Sequence, residues 1–287
     1  MKKKIALILA AVILVLSLGL AACGTADEGT TDTNPSDGDK SSSEKMKVDD
    51  AKVAAAANDG VFKIGLDPEF PPMGYRDTEG NYVGFDIDLA KEVAKRLGME
   101  FEAVPINWDA KNMELGTGNI DCIWNGFTMT GREGDYLWTS PYVENAQVIV
   151  VKENSDIKTS ADLAGKVLAL QQGSTAENAL NSRADIKDTL ANTLFVADNV
   201  SALNELKAGG VDAVLVDEVV ADYYIAKNPG LKVIDSIARE SYGVGFALGN
   251  SALRDKVETT LHEMAKDGTM KKISEQWFGK DITTIKG

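Results

Sequence analysis

The chain is expected to be an α/β protein built from two similar lobes, and two observations lead there. Short apolar strands alternate with amphipathic helices from Val61 to Phe278, the pattern of helices packed on a largely parallel sheet. The phrase L-x-x-G-x-[IV]-D-[AC]-[IV] also occurs twice, at residues 115–123 and 91 positions later at 206–214. Each copy reads as a helix end, a glycine stop and a short buried strand. Polar residues follow each one: Asn125 to Arg132 after the first, Asp217 and Glu218 after the second. Open α/β sheets bind ligands at the carboxyl ends of their strands, so chemistry is expected at both places.

The elements follow in order. Val61 to Leu66 is a strand ending in the proline-rich loop Asp67 to Pro72, where helix is opposed. Turn chemistry at Glu79-Gly80-Asn81 precedes a helix Ile87 to Leu97, with Asp86 as its cap, Gly98 as its stop and a buried stripe of Ile87, Ala90, Val93, Ala94 and Leu97. Met99 to Val104 is a strand, Asp109 to Leu115 a short helix and Ile120 to Trp124 a strand. Gln147 to Val151 is a nearly continuous apolar strand. A short helix from Ser160 stops at Gly165, and strand Val167 to Leu170 leads through a glycine turn into a helix from Ala176. Helix Asn199 to Ala208, strand Val211 to Val216 and helix Glu218 to Lys227 follow. The chain closes with strand Tyr242 to Leu248 and helices Ser251 to Lys266 and Thr269 to Phe278.

Ahead of this body lies a different kind of sequence. Lys2, Lys3 and Lys4 precede the uncharged apolar run Ile5 to Leu16, and Leu20-Ala21-Ala22-Cys23 closes the segment. That is the layout of a secretory signal, and the run is too short for a membrane span. The cysteine directly after the small pair resembles a bacterial lipoprotein box, which implies cleavage after residue 22 and a lipid on Cys23. Two or more acyl chains give a stable membrane anchor. Residues 23–58 are read as a flexible tether: Gly24 to Lys47 is rich in Thr, Ser, Asp, Gly, Glu and Lys with little to bury, and the alanine run in Asp50 to Asn58 can be briefly helical but has no convincing apolar face.

Composition excludes several functions. The net charge is −14, and loss of the three signal lysines takes it to −17. Nucleic acid is not an expected partner, because phosphate binding needs clustered Lys and Arg. With Cys122 placed in a core strand and one histidine in the chain, His262, zinc chemistry and a histidine-based triad are not expected. No metal or cofactor is implied.

The folded part resembles the bacterial extracellular solute-binding proteins of family 3, the polar-amino-acid-binding components of ABC importers. The residues carrying the resemblance are Gly65-Leu66-Asp67-Pro68 with Pro72, the run Gly84 to Ala90, Thr128-Met129-Thr130 with Arg132, and Trp138 to Tyr142. Further on come Asp162 to Val167, Gln172 to Thr175, Val211 to Ala213, Asp217 and Gly243 to Phe246. Each is weak alone; in this order and spacing they are specific, and they span nearly all of residues 62–278. The resemblance implies a two-lobed periplasmic-binding-protein-like fold of type II with two chain crossings between lobes. Lobe 1 would comprise residues 59–149 and 242–287, lobe 2 residues 150–241. It also implies a monomer that captures a free amino acid in the cleft, closes by a hinge motion and is recognised by the importer's membrane subunits.

A free amino acid carries a carboxylate and an ammonium on one carbon, so its site needs a fixed cation or amide nest near a fixed anion. Arg132 is the candidate for the carboxylate, since a guanidinium gives two parallel charge-assisted bonds; the alternative is a surface ion pair with Glu133 or Asp135. The segment from Thr128 to this arginine is one residue shorter than in many relatives. Gly173, Ser174 and Thr175 form a turn before a helix, where backbone N–H groups suit a carboxylate, or an ordinary capped turn. Gln171 and Thr128 are candidate donors beside them. Asp217 is the candidate ammonium acceptor, or a helix N-cap, or both. Asn125 and Gly126 are candidate partners of the ammonium. Phe70, Trp108 and Phe127 are candidate walls, or core. Asp67 is placed to read a polar side chain. Trp124, Trp138 and Trp277 are expected in the core.

Two other functions fit the resemblance: a dehydratase-like enzyme of the same fold and an amino-acid-sensing receptor component. The first needs a lone general acid with a perturbed pKa, and each cleft acid is explained by binding. The second needs a signalling helix, and none follows Phe278.

Overall fold

The computed structural model describes residues 46–287. The segment 1–22 read as a signal, the expected lipid site Cys23 and the expected tether as far as residue 45 lie outside the described residues. Residues 46–58, read above as the end of the tether, belong instead to the folded body. Asp50–Ala56 is a helix capped by the Asp49 side chain, with Val53 buried. The Asp49 amide donates to the Gly116 carbonyl at 2.8 Å, and Met46 and Val48 pack on the cluster around Trp108 and Phe127. The composition suggested disorder because one valine and two flanking apolar residues carry this contact. Gly116 admits it, since a Cβ there would run into the Lys47 carbonyl.

The folded body holds two five-stranded sheets of matching topology. The first runs Glu100–Pro105, Val61–Leu66, Cys122–Ile123, Gly245–Phe246, Leu137–Trp138; the second runs Asn192–Val196, Val167–Gln171, Ala213–Asp217, Val143–Lys152, Leu231–Tyr242. In both, the first three strands are parallel and stand in the order second, first, third along their half of the chain. The connections diverge between the first and third strands, which makes their carboxyl ends a topological switch point. The sequence echo lies at the third strand of each sheet, and its repeated aspartate does the same work twice. Asp121 accepts from the Lys63 amide at 2.7 Å and Asp212 from the Val167 amide at 2.9 Å, each satisfying the start of the neighbouring first strand.

Two long antiparallel strands, Val143–Lys152 and Leu231–Tyr242, carry the chain between the lobes. The second had no clear sequence signal. Register shifts between Val233 and Asp235 and between Ser236 and Ala238 break its alternation, so its apolar residues do not fall on one face. Strand Asn192–Val196 and the small sheet of Glu69–Phe70, Gly74–Arg76 and Tyr82–Val83 were also not read. Helix Phe85–Leu97 ends at Gly98 in the left-handed region as expected, but its N-cap is Gly84 and not Asp86. Gly84 has φ 144°, and a Cβ there would meet the Met73 carbonyl. Gly84→Ala is therefore expected to lower stability by roughly 2 kcal/mol or more, read as a lower urea midpoint at unchanged m-value. Trp124 is fully buried and Trp138 nearly so, whereas Trp277 is only half-buried and donates to Asp88 at 2.9 Å.

Candidate functional site

One cavity lies between the lobes, lined by Phe70, Trp108, Gly126, Thr128 and Arg132 from lobe 1 and Gln171, Ser174, Thr175 and Asp217 from lobe 2. Nearly all of these residues sit at or just beyond the carboxyl ends of the first and third strands of their sheets, where the divergent connections leave an opening.

The cationic side is built around Arg132. Its guanidinium is partly buried and lies 5.1 Å from the Phe127 ring centroid. Among the described residues it makes no ion pair; Glu133 instead accepts from the Gly131 amide at 3.1 Å. Its protein partners are two carbonyls at 3.4 Å, Thr128 in its own lobe and Gly173 across the cleft. A guanidinium has five N–H donors, so most are left for a ligand. Burial pulls the Arg132 pKa below its ordinary value, which marks a cation short of a counter-anion. The hydroxyls of Thr128 and Thr175 face one another at 3.3 Å across the lobes. Lys111 adds a second buried cation: its ammonium donates to the carbonyls of Trp108 and Gly173 at 3.2 Å, and burial with the Arg132 charge nearby lowers its pKa to about 8.

The anionic side is Asp217. It closes strand Ala213–Asp217 and precedes helix Glu218–Lys227, yet its side chain makes no capping bond. It accepts from the Tyr242 hydroxyl at 2.5 Å and from Asn145 Nδ2 at 2.8 Å. Asp217 is thus the N-cap residue by position, but its side chain is engaged elsewhere and does not cap the helix. Burial, and then the neighbouring Glu240, push its pKa well above the usual carboxylate range.

Four candidates do not line the cavity. Asp67 is buried behind it, with its carboxylate held by the Glu69 amide at 2.9 Å and by Gln171 Nε2 at 2.7 Å. Asn125 turns inward, accepting from the Asp67 amide at 3.0 Å; its side chain braces the loop and does not face a ligand. Phe127 is core, packed with its ring 5.6 Å from Trp108, 5.0 Å from Tyr136 and 4.9 Å from Trp138. Gly173 gives its amide to Glu177 at 3.0 Å and so does not point it at the cavity. Gln171 does line the cavity, but its Nε2 donates to Asp67 and, at 2.9 Å, to the Ala197 carbonyl. Both amide hydrogens are thus spent and none remains for a carboxylate. In the turn, the Ser174 hydroxyl donates to the Gln171 carbonyl at 2.7 Å. Thr175 begins its helix, and its N–H has no intrahelical partner.

Residues that the sequence did not bring forward complete the site. Asn145 and Gln147, on one crossing strand, both donate to Glu240 on the other, where Tyr242 in turn donates to Asp217. Each pair is two apart and so shares one face of its strand; two amides at that spacing in an apolar strand were the available signal. Asp86 is buried and accepts from the Gly126 amide at 2.6 Å, fixing Gly126 at φ 54°. Phe70 is close enough there that a Cβ on Gly126 would meet its ring at 2.7 Å.

A guanidinium with spare donors stands on one side of a single small cavity and a buried carboxyl on the other. The arrangement suits a small zwitterion, and the two lobes that share its walls define a two-lobed ligand-capturing protein. The chain belongs to the bacterial extracellular solute-binding proteins, family 3, whose family profile matches residues 62–280. It is 32% identical over 229 residues to the L-cystine-binding protein TcyJ of Escherichia coli (strain K12), covering 78% of this chain and 85% of that one. It is also 32% identical to the histidine-binding periplasmic protein of Salmonella typhimurium, covering 81% of this chain and 93% of the other. A solved ABC uptake transporter substrate-binding protein from Streptococcus pneumoniae with bound histidine superposes with a TM-score of 0.77 at 33% identity, covering 80% of this chain and 97% of that one. An ancestral arginine-binding protein bound to arginine gives 0.72 at 41%, covering 77% and 99%.

Proposed function

We propose that this protein captures one free polar amino acid outside the cytoplasm and delivers it to the membrane subunits of an ABC importer, held at the membrane by a lipid on Cys23. The observation that carries the reading is the placement of Arg132 and Asp217, from different lobes, on one cavity. In this reading the ligand carboxylate meets Arg132, Thr128 and the Thr175 amide, the ammonium meets Asp217, and Phe70 and Trp108 wall the side chain. A molecule bridging both lobes favours the closed state by its differential affinity for it. The relatives named for binding cystine, histidine and arginine support an amino acid as the ligand. They also support binding without turnover, which fits cleft acids engaged in hydrogen bonds.

The test is a thermal-shift screen of the standard L-amino acids and L-cystine. Binding only to the folded state adds about 2.7 kcal/mol at a hundredfold excess over Kd. One or a few of these compounds are expected to raise the melting temperature and to be recovered chemically unchanged. A flat screen would sink the proposal, and conversion of a bound compound would favour an enzyme.

A further inference from the structure

Asp217, which lines the cavity, has a second carboxyl group beside it, that of Glu240, which stands behind the lining. Asn145 Nδ2 donates to Asp217 Oδ1 at 2.8 Å and to Glu240 Oε1 at 2.6 Å. Two oxygens held by one nitrogen at these lengths lie no more than 5.4 Å apart. Both side chains are 5% exposed. Gln147 Nε2 donates to Glu240 at 2.9 Å and the Tyr242 hydroxyl to Asp217 at 2.5 Å. All of these donors are uncharged, because burial pushes the Tyr242 hydroxyl pKa well above its ordinary value. The charged group facing the pair from lobe 1 is Arg132, which attracts both carboxylates but lies within 4.0 Å of neither among the described contacts.

Asp217, buried beside a second carboxyl group and without a bound cation, resists ionisation. A ligand ammonium changes this: it brings a full positive charge and three N–H donors to the same place. We propose that Glu240 is the second member of the ammonium site, that it stands beside Asp217 and keeps a proton on Asp217 while the cavity is empty, and that amino-acid binding expels that proton. One carboxylic O–H bond breaks, its electron pair stays on the carboxylate oxygen, and the proton passes to solvent. Asp217 then meets the ammonium as a carboxylate, with Glu240 behind it. This inference rests on the reading of Asp217 as the ammonium acceptor. The raised pKa of Asp217, from burial and then from Glu240, agrees with it.

The experiment is isothermal titration of the full folded protein with the tightest binder among the standard L-amino acids and L-cystine, at pH 7, in buffers of different ionisation enthalpy. The slope of observed heat against buffer enthalpy counts protons. The wild type is expected to release protons on binding, up to one per molecule bound. Its Kd should rise as pH falls. Glu240→Gln should bind with little proton release and a flatter pH profile. If Glu240 only supported the fold, that variant would change affinity and leave the proton count where it was. If Glu240→Gln does not fold, the wild-type buffer series still decides. Binding with no proton exchange in the wild type overturns the inference and leaves amino-acid capture standing. Equal exchange in wild type and Glu240→Gln also overturns it. Absence of binding by every compound overturns the proposed function, and the inference with it.

Discussion

Arg132→Ala is expected to weaken amino-acid binding by more than a hundredfold while leaving the empty protein at least as stable as the wild type. The guanidinium is partly buried, makes no ion pair among the described residues, and spends its protein contacts on two long bonds to carbonyls. Two charge-assisted bonds to a carboxylate at about 1.5–3 kcal/mol each give a loss of about 3 kcal/mol at least, since a factor of ten is about 1.4 kcal/mol. The opposite sign for the free protein follows from the same facts, because removing a partly buried cation that lacks a counter-anion relieves a desolvation cost. Arg132→Lys should recover only part of the affinity, because an ammonium is a point charge and does not reproduce the fork. Calorimetric titration and urea unfolding on the same samples check both halves. Unchanged binding in Arg132→Ala would remove Arg132 from the site.

Asp86→Asn is expected to stabilise the empty protein at pH 8 and to flatten its stability between pH 5 and pH 8. Burial raises the Asp86 pKa from its ordinary 3.8 to about 7. The Gly126 amide pulls it partly back; Trp124 Nε1 and the Tyr142 hydroxyl lie beside the carboxyl, and neither reaches hydrogen-bonding geometry with it. A raised carboxyl pKa favours the folded state while the group is protonated. That contribution is complete below the unfolded value near 4 and is lost as pH climbs through about 7. Asp86 alone should then cost the wild type roughly 2–3 kcal/mol between pH 5 and pH 8. Asp67 and Asp121, both raised to about 6 chiefly by burial, push in the same direction. The asparagine keeps an oxygen for the Gly126 amide and has no charge to bury. Urea midpoints at the two pH values decide it, and an undiminished wild-type slope in the variant would rule Asp86 out as the cause.

The parts of this molecule legible in the sequence are those with local causes. Gly98 and Gly209 stop their helices in the left-handed region, and the apolar strands beside them announce themselves by composition. Arg132, Thr128 and Asp217 were legible as candidates because strand ends are where open α/β sheets expose chemistry. The acid partner of Asp217 was not, since Asn145 and Glu240 stand 95 residues apart and meet only when the two crossing strands pair. Their register depends on two bulges that no periodicity reports. For the same reason Asp67 and Gln171 were each read as facing a ligand when they face one another. A polar side chain at a strand end has several places to point, and its choice is made by a partner 104 residues away. Residues 46–58 show the converse error: a polar, alanine-rich segment was read as free although a glycine gap in lobe 1 receives it.

The central claim is that Arg132 and Asp217 hold the two charges of one amino acid. The most direct measurement compares by calorimetric titration the best-binding L-amino acid with its decarboxylated amine and with its α-hydroxy acid. The account predicts one site per chain for the amino acid, with losses of at least about a hundredfold for each truncated compound. In Arg132→Ala, removal of the carboxylate should cost little further, and in Asp217→Asn the same should hold for removal of the ammonium. A truncated compound that binds wild-type protein as tightly as the amino acid would contradict the account, and so would a full further loss in the matching variant.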